Sequence, residues 1–510
     1  MLRRFSIILA PVLAVIALLA WAVSSPVGSS PDDDFHLVSI WCASPASGEY
    51  CQQTGEDSER LVPESLVEAP CFAFDAKKSA SCQAGLSFTA VADTSTDRGN
   101  FVGGYPPVYY ATMGLFAGND IVASAITMRV VNVLIFVGLA TALFLLLPVA
   151  RRPALIWSWV VTTVPLGLFV LASNNPSAWA ITGVGMGWIA LLGYFETTGL
   201  RRIALGALFV LSAIMAAGSR SDAAIYTVLG IVAVGILSFA RTKRWVLSAI
   251  LPVVVAAFCI TLFRLSRPVA SLTQGLPGGG SDTAVEPTDL IGRFVYNILE
   301  GPSLWAGIFG DRWGLGWLDT SMPAIVWFGG LASFVAVGFM AAGRLNWQKL
   351  AVLIGGVLVL WLMPTIVLIS AGDTVGENMQ PRYLLPLIVM FTGVLLLSPR
   401  ARPVRFTRVQ VLLVASALSV TQLVALNLNL RRYITGFDDL GVNLDSGIEW
   451  WWDWAVSPMT VWIVGSVAFT ALLFILLPRH SGVPRERSSR LHWHSRRRPD
   501  GKRWDTLDEC

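Results

Sequence analysis

Apolar runs about twenty residues long recur along this chain, and they constrain its fold more than any other feature. Twelve can be placed, near residues 5–23, 128–149, 154–173, 177–198, 203–218, 223–240, 245–263, 322–342, 350–371, 383–398, 409–428 and 458–477. Each is close to the length a helix needs to cross the hydrocarbon core of a bilayer. Within that core every backbone N–H and C=O must find its partner inside the segment, which selects helices. Composition agrees, since 54% of residues are hydrophobic and 14% charged, where a soluble chain carries roughly a quarter charged. The expectation is an all-α, polytopic transmembrane helix bundle with about twelve spans. The membrane domain is expected over residues 1–478, followed by a basic cytoplasmic tail over 479–510 whose composition suggests disorder.

Charge sets the orientation. With the N-terminus inside, the short inner loops carry Arg151 and Arg152, Arg201 and Arg202, Arg241, Lys243 and Arg244, Arg344 and Lys349, and the cluster from Arg400 to Arg408. That inner excess of Lys and Arg gives the orientation by the positive-inside rule, and most acids fall on the other side. Both termini are therefore expected in the cytoplasm of a multi-pass plasma-membrane protein. Arg3 and Arg4 ahead of an apolar run also suit a signal peptide. That run is longer than a signal core and no small-x-small site ends it, so it reads as a retained helix.

Three outer segments are long enough to build a site: 24–127, 264–321 and 429–457. The first holds Cys42, Cys51, Cys71 and Cys82, which read as two disulfides with three pairings open. In the second, a Gly-rich stretch from Gly275 to Ser281 precedes Leu290, Ile291, Phe294, Val295, Ile298 and Leu299 on one helical face. Such a face suits a helix lying in the membrane interface. The third ends in Trp450, Trp451, Trp452 and Trp454, an interfacial anchor.

The acids that stand out are Asp32, Asp33 and Asp34, placed directly after the first apolar run and followed by His36. A solvated acidic turn would explain them. Adjacent carboxylates beside a membrane surface also suit the removal of a proton from an attacking hydroxyl. Asp32 and Asp33 are the candidate catalytic residues, with Asp34 and His36 in support. If a divalent Mg or Mn ion is used, Asp32 and Asp33 supply the hard oxygen ligands it prefers. Opposite charge comes from Arg129, Arg220 and Arg382, which sit at outer helix mouths against the general bias. They are candidate phosphate-binding groups, Arg382 most of all because it follows Pro381 at a helix start. The alternative for each, weaker for Arg382, is an interfacial arginine on ordinary lipid phosphate or one paired with a nearby acid such as Asp222. Tyr105, Tyr109, Tyr110 and Tyr383 are candidates for sugar or lipid contact. The Asp438-Asp439 pair is the main rival acidic site, ranked lower because its irregular loop has no helix exit to anchor it. Asp311 and Asp319, flanking Trp313 and Trp317, are weaker candidates for acceptor contact.

Pro31-Asp32-Asp33-x-x-His36 resembles the Pro-Asp-Glu-x-x-His signature of the bacterial membrane-protein family called domain of unknown function 2142. Pro106-Pro107-Val108-Tyr109-Tyr110, Arg129-Val130-Val131-Asn132, Asn175-Pro176 and Gln380-Pro381-Arg382-Tyr383-Leu384-Leu385-Pro386 resemble its later landmarks, over roughly residues 25 to 400. The chain departs from the pattern at Asp33, one methylene shorter than the usual Glu, and at Ser177, where Asp often follows Asn-Pro. The family is grouped with the GT-C glycosyltransferases, which use polyprenyl-phosphate sugar donors and keep an essential acid in the first outer loop. The resemblance thus implies a GT-C-like fold, Asp32 and Asp33 as catalytic residues, and Arg382 facing the carrier phosphate.

The function expected is transfer of a sugar, with inversion, from a polyprenyl-phosphate donor to an extracytoplasmic cell-envelope glycan, lipid or protein. The protein's other partner is the lipid bilayer, and no nucleic acid is expected. A transporter or flippase of lipid-linked saccharides competes with this reading. It would need ionisable groups near the bilayer midplane, and the runs carry almost none there. A non-catalytic membrane assembly partner is the third possibility.

Overall fold

The computed structural model describes residues 2–266, 290–342, 345–398, 406–439 and 441–480, with the side chains of 2–7 and 479–480 left aside. The Gly275–Ser281 stretch and the tail beyond 480 lie outside the described residues. Among the described residues nine helices are long and apolar enough to cross a membrane: Ile121–Leu146, Ser177–Glu196, Gly199–Ser219, Ser221–Ser238, Lys243–Leu265, Ala324–Ala342, Trp347–Ala371, Arg408–Ile434 and Pro458–Pro478. Two further apolar helices are shorter, Ile8–Val23 (the apolar part of Leu2–Val23) and Pro381–Leu396. The run at 154–173 does not form one helix. It breaks into Arg152–Thr162 and Leu166–Leu171, because Pro165 has no N–H to continue the ladder and its ring disfavours helical backbone just before it.

The ends of these helices alternate between two faces. At one face Arg151 pairs with Glu196, its Nη2 2.7 Å from the carboxylate, and donates to Ser398 O. Arg201 donates to Leu146 O, Arg244 to Thr197 O, and Lys349 to Leu395 and Leu397 O. These cations cap helix C-termini, where the orphan carbonyls and the negative dipole end favour them. The N-termini of Ile121–Leu146, Ser177–Glu196 and Pro381–Leu396 consequently gather at the opposite face, near Asp32.

Ser177–Glu196 is the central helix, buried along nearly its whole length and apolar all round, as a core helix should be. It packs on Gly199–Ser219, Ser221–Ser238, Pro381–Leu396 and Ile121–Leu146. Small residues let the backbones approach: a Cβ at Gly183 would lie 2.4 Å from Ser212 O. Leu290–Ala306 is amphipathic as its sequence suggests, with Leu290, Ile291, Phe294, Val295 and Leu299 exposed. From its buried side Asn297 clips the loop leading to Arg382, donating to Asp373 O and accepting from Val375 N.

The first loop is not purely helical. It carries a three-stranded antiparallel sheet of Gln52–Gln53, Arg60–Val62 and Thr94–Thr96, in that order, pairing Gln52 with Leu61 and Arg60 with Thr96. The disulfides are Cys42–Cys51 and Cys71–Cys82. The second closes a hairpin that docks on the chain's C-terminal part. The Arg432 guanidinium donates to Phe72 O, Lys78 O and the Asp319 carboxylate. Phe437 N donates to Ala76 O.

Candidate functional site

Asp32 is delivered by the stretch that leaves the first helix, and every carbonyl from Ala22 to Pro31 in that stretch has a donor. Arg129 donates to Ala22, Ser25 and Pro26 O, Trp452 to Val23 O, and Asn429 to Ser24 O. Gln83 reaches Val27 O, Trp317 reaches Gly28 O, and Tyr433 reaches Ser29 O. Asp33 N closes on Ser30 O, while Asn175 and Arg382 both meet Pro31 O. A buried irregular segment must satisfy its backbone in some such way. Gly28 is required within it: its φ is +81°, and a Cβ would lie 2.9 Å from Pro70 N.

This frame ends at Asp32, whose backbone is left-handed at φ 60° and ψ 26°. A non-glycine residue held there marks a site whose surroundings impose the conformation. Asp32 is the N-cap of Asp33–Cys42, but its side chain makes no cap bond. It points instead to two guanidiniums. Oδ2 accepts from Arg382 Nη2 at 2.6 Å, and Oδ1 lies 4.0 Å from Arg98 Nη2. Its side chain is 16% exposed.

The three neighbouring acids thus have three different environments. Asp33 is fully buried and turns inward, its Oδ2 accepting from Ser30 N at 2.9 Å. Burial pushes its carboxyl up to about 7, against the pull of the nearby Arg129 guanidinium. Asp34 is chelated by Arg98 at 2.8 and 2.9 Å. The sequence does not mark Arg98, because it sits in an irregular loop with no helix mouth or motif beside it. As the three carboxylates diverge, and two of them face arginines, they do not fit as joint ligands of a divalent ion. Among the described residues no group of three or more His, Cys, Asp and Glu side chains gathers at metal-binding spacing.

Arg220 and Arg382 do reach the site, and they meet across one ring. The guanidinium carbon of Arg220 lies 4.4 Å from the Tyr383 centroid and 5.8 Å from that of Tyr105; that of Arg382 lies 5.1 Å from Tyr383. Arg382 Nη2 also donates to Tyr383 OH. Arg220 is chelated by Asp222 at 2.9 Å through Nε and Nη2. Among the described residues, one buried nitrogen of each of these two guanidiniums has no hydrogen-bond partner, Arg220 Nη1 and Arg382 Nε. His36 lies behind, its Nδ1 2.9 Å from Tyr110 OH and its ring edge-on to Tyr105. Burial, with Arg382, Arg220 and Arg98 around it, holds this imidazole well below its ordinary value. It is neutral at physiological pH and acts as a hydrogen-bonding support.

Two expected site residues make contacts other than those expected of them. Arg129 was expected at a helix mouth and on donor phosphate. The helix starts earlier, at Ile121, where the Asp120 side chain caps Ala123 N. Arg129 is therefore buried a few turns in and braces the exit stretch. Tyr109 is also fully buried, edge-on to Trp179, and contacts the core. Asp319 is held by Arg432 and Phe74 N. Asp439 lies 3.8 Å from Arg431, remote in the chain from the Asp32 cluster.

A family model described as predicted membrane protein (DUF2142) matches residues 15–391. That span takes in Asp32, Arg98, Arg220, Arg382 and Tyr383, and stops before Asn429, Arg432 and Trp452. No curated protein and no solved structure matches the chain.

Proposed function

The chain belongs to the DUF2142 family of predicted membrane proteins, and from that premise we propose that it is an inverting, GT-C-like membrane glycosyltransferase. It takes a sugar from a polyprenyl-phosphate donor and passes it to an extracytoplasmic cell-envelope acceptor. The observation that carries this reading is the strained Asp32 carboxylate 2.6 Å from Arg382, beside Arg220 on the shared Tyr383 ring. One base and two guanidiniums are the parts such a transfer needs. The acceptor oxygen attacks the anomeric carbon and its proton passes to Asp32. The bond from that carbon to the phosphate oxygen breaks, and its electron pair leaves with the phosphate. Arg382 and Arg220 stabilise the charge that develops there. Attack opposite the leaving group inverts the centre, as in inverting glycosidases. No step is routed through a metal.

The same reading places the Asp32 face outside the plasma membrane, the chain crossing about twelve times with both termini in the cytoplasm. Two observations support it: the cations that cap helix C-termini, Arg151, Arg201, Arg244 and Lys349, lie at the other face, and two disulfides lie in the loop that carries Asp32, which suits an oxidising compartment. Linkage analysis of envelope glycans in cells lacking the protein tests the function. One linkage should vanish and return with the wild-type chain but not with Asp32→Asn at equal abundance. An unchanged glycan profile would refute it.

A further inference from the structure

The three arginines of the site are not held alike. Arg98 grips Asp34 through two nitrogens, and Arg220 grips Asp222 in the same way. Arg382 meets Asp32 through Nη2 alone, and it shares that nitrogen with Tyr383 OH. Bidentate guanidinium–carboxylate pairs are the stronger and more specific kind, so the Asp32–Arg382 contact is the one most readily opened. Asp32 also has a second cation in reach, since Arg98 Nη2 lies 4.0 Å from its other oxygen. Among the described residues, the Nε of Arg382 and the Nη1 of Arg220 are buried donors without a hydrogen-bond partner. Both guanidiniums lie against the Tyr383 ring. Charge also counts. Asp32, Asp34 and Asp222 already balance Arg382, Arg98 and Arg220, so an arriving phosphate must displace a carboxylate to be neutralised.

We propose that the Asp32–Arg382 contact is a latch opened by the donor: the phosphate of a lipid carrier takes over Arg382, with Arg220 beside it, and thereby frees Asp32 Oδ2 for the acceptor hydroxyl. This rests on the transferase reading and adds order to it. Until the donor is seated, Asp32 is turned to Arg382 and is not presented to a hydroxyl. The anion that releases the base is the one carrying the sugar, so water or acceptor arriving first meets a closed site.

Binding measures this without knowledge of the sugar. The full chain in phosphatidylcholine nanodiscs is titrated with polyprenyl phosphate and read by native mass spectrometry. If the latch is closed about nine-tenths of the time, removing the carboxylate should tighten binding about tenfold. Asp32→Asn and Asp32→Gly should both show this, and both residues tolerate a φ of 60°. Arg382→Gln should lose most of the binding. Asp34→Asn removes the same charge from the Arg98 pair and should change affinity less than about twofold. Should Asp34→Asn tighten binding as much as Asp32→Asn, general electrostatics would replace the latch. Unchanged affinity in both Asp32 variants, with the wild type binding, would overturn the latch and leave the donor reading standing. Absence of binding in the wild type and in both Asp32 variants would overturn both. Inorganic phosphate or phosphatidylglycerol showing the same gain would overturn the lipid carrier as the occupant.

Discussion

Adjacent carboxylates in one turn end up in different environments because the left-handed backbone at Asp32 turns the chain between them. The left-handed φ of Asp32 aims its side chain at Arg382, while Asp33 folds back under Ser30 and away from solvent. Only Asp32 is both strained and partly open, so Asp32→Asn should lower transfer about 10²–10⁴-fold at unchanged membrane abundance, as incorporation of labelled sugar into envelope would show. Asp33 should appear in stability instead. Its carboxyl keeps its proton up to about 7 in the folded chain, against an ordinary value of 3.8. Between those values the folded state binds more protons than the unfolded one, so stability falls as pH rises through that window and levels off above it. The thermal midpoint of purified Asp33→Asn should lose that slope; a slope equal to that of the wild type would contradict the assignment. The sequence showed that acids gather here, and it marked Arg220 and Arg382. It was silent on which acid is poised, since that depends on one dihedral angle and on Arg98, which reaches the site from a loop 64 residues away.

The exit stretch from Ala22 to Pro31 is an element in its own right, although it has no regular secondary structure past Val23. Its donors come from the first loop, from Ile121–Leu146, Pro381–Leu396 and Arg408–Ile434, and from the loops that carry Asn175, Trp317 and Trp452. Sequence periodicity carries no trace of such contacts, because all but the Asp33–Ser30 bond link positions far apart in the chain. Hydropathy alone also misplaced Arg129, since a polar N-cap at Asp120 starts its helix ahead of the apolar run. Replacing Arg129 with Met would orphan three buried carbonyls. It should destabilise the fold by about 3 kcal/mol or more, seen as a lower unfolding midpoint or reduced abundance. The Cys71–Cys82 hairpin joins the same frame through Arg432. Changing both cysteines to Ser should cost about 2–4 kcal/mol, measured by thermal unfolding. A midpoint that does not move would mean that the hairpin docks without its crosslink.

At the scale of the whole molecule, the helical architecture was the most legible feature, because bilayer thickness writes itself into run length and leaves few alternatives. Nine of the twelve runs correspond to long apolar helices, and those at 5–23 and 383–398 to shorter ones. The exception, 154–173, is interrupted at Pro165, which a hydropathy window averages away. Charge asymmetry has a local cause in the structure, as basic side chains cap the helix ends on one face. This predicts labelling by a membrane-impermeant thiol reagent in intact cells at Asp57→Cys and not at Arg241→Cys; the reverse pattern would invert the topology.

The most direct test of the central claim uses wild-type and Asp32→Asn protein in liposomes. Each receives lipid-linked sugars extracted from cells carrying the Asp32→Asn variant, together with an acceptor fraction from their envelopes. Mass spectrometry then follows conversion of sugar-loaded polyprenyl phosphate to the free carrier. Conversion by the wild type, lowered at least about a hundredfold in Asp32→Asn, is the result expected. Equal conversion by both proteins, or a donor pool that the wild type leaves intact, would contradict it.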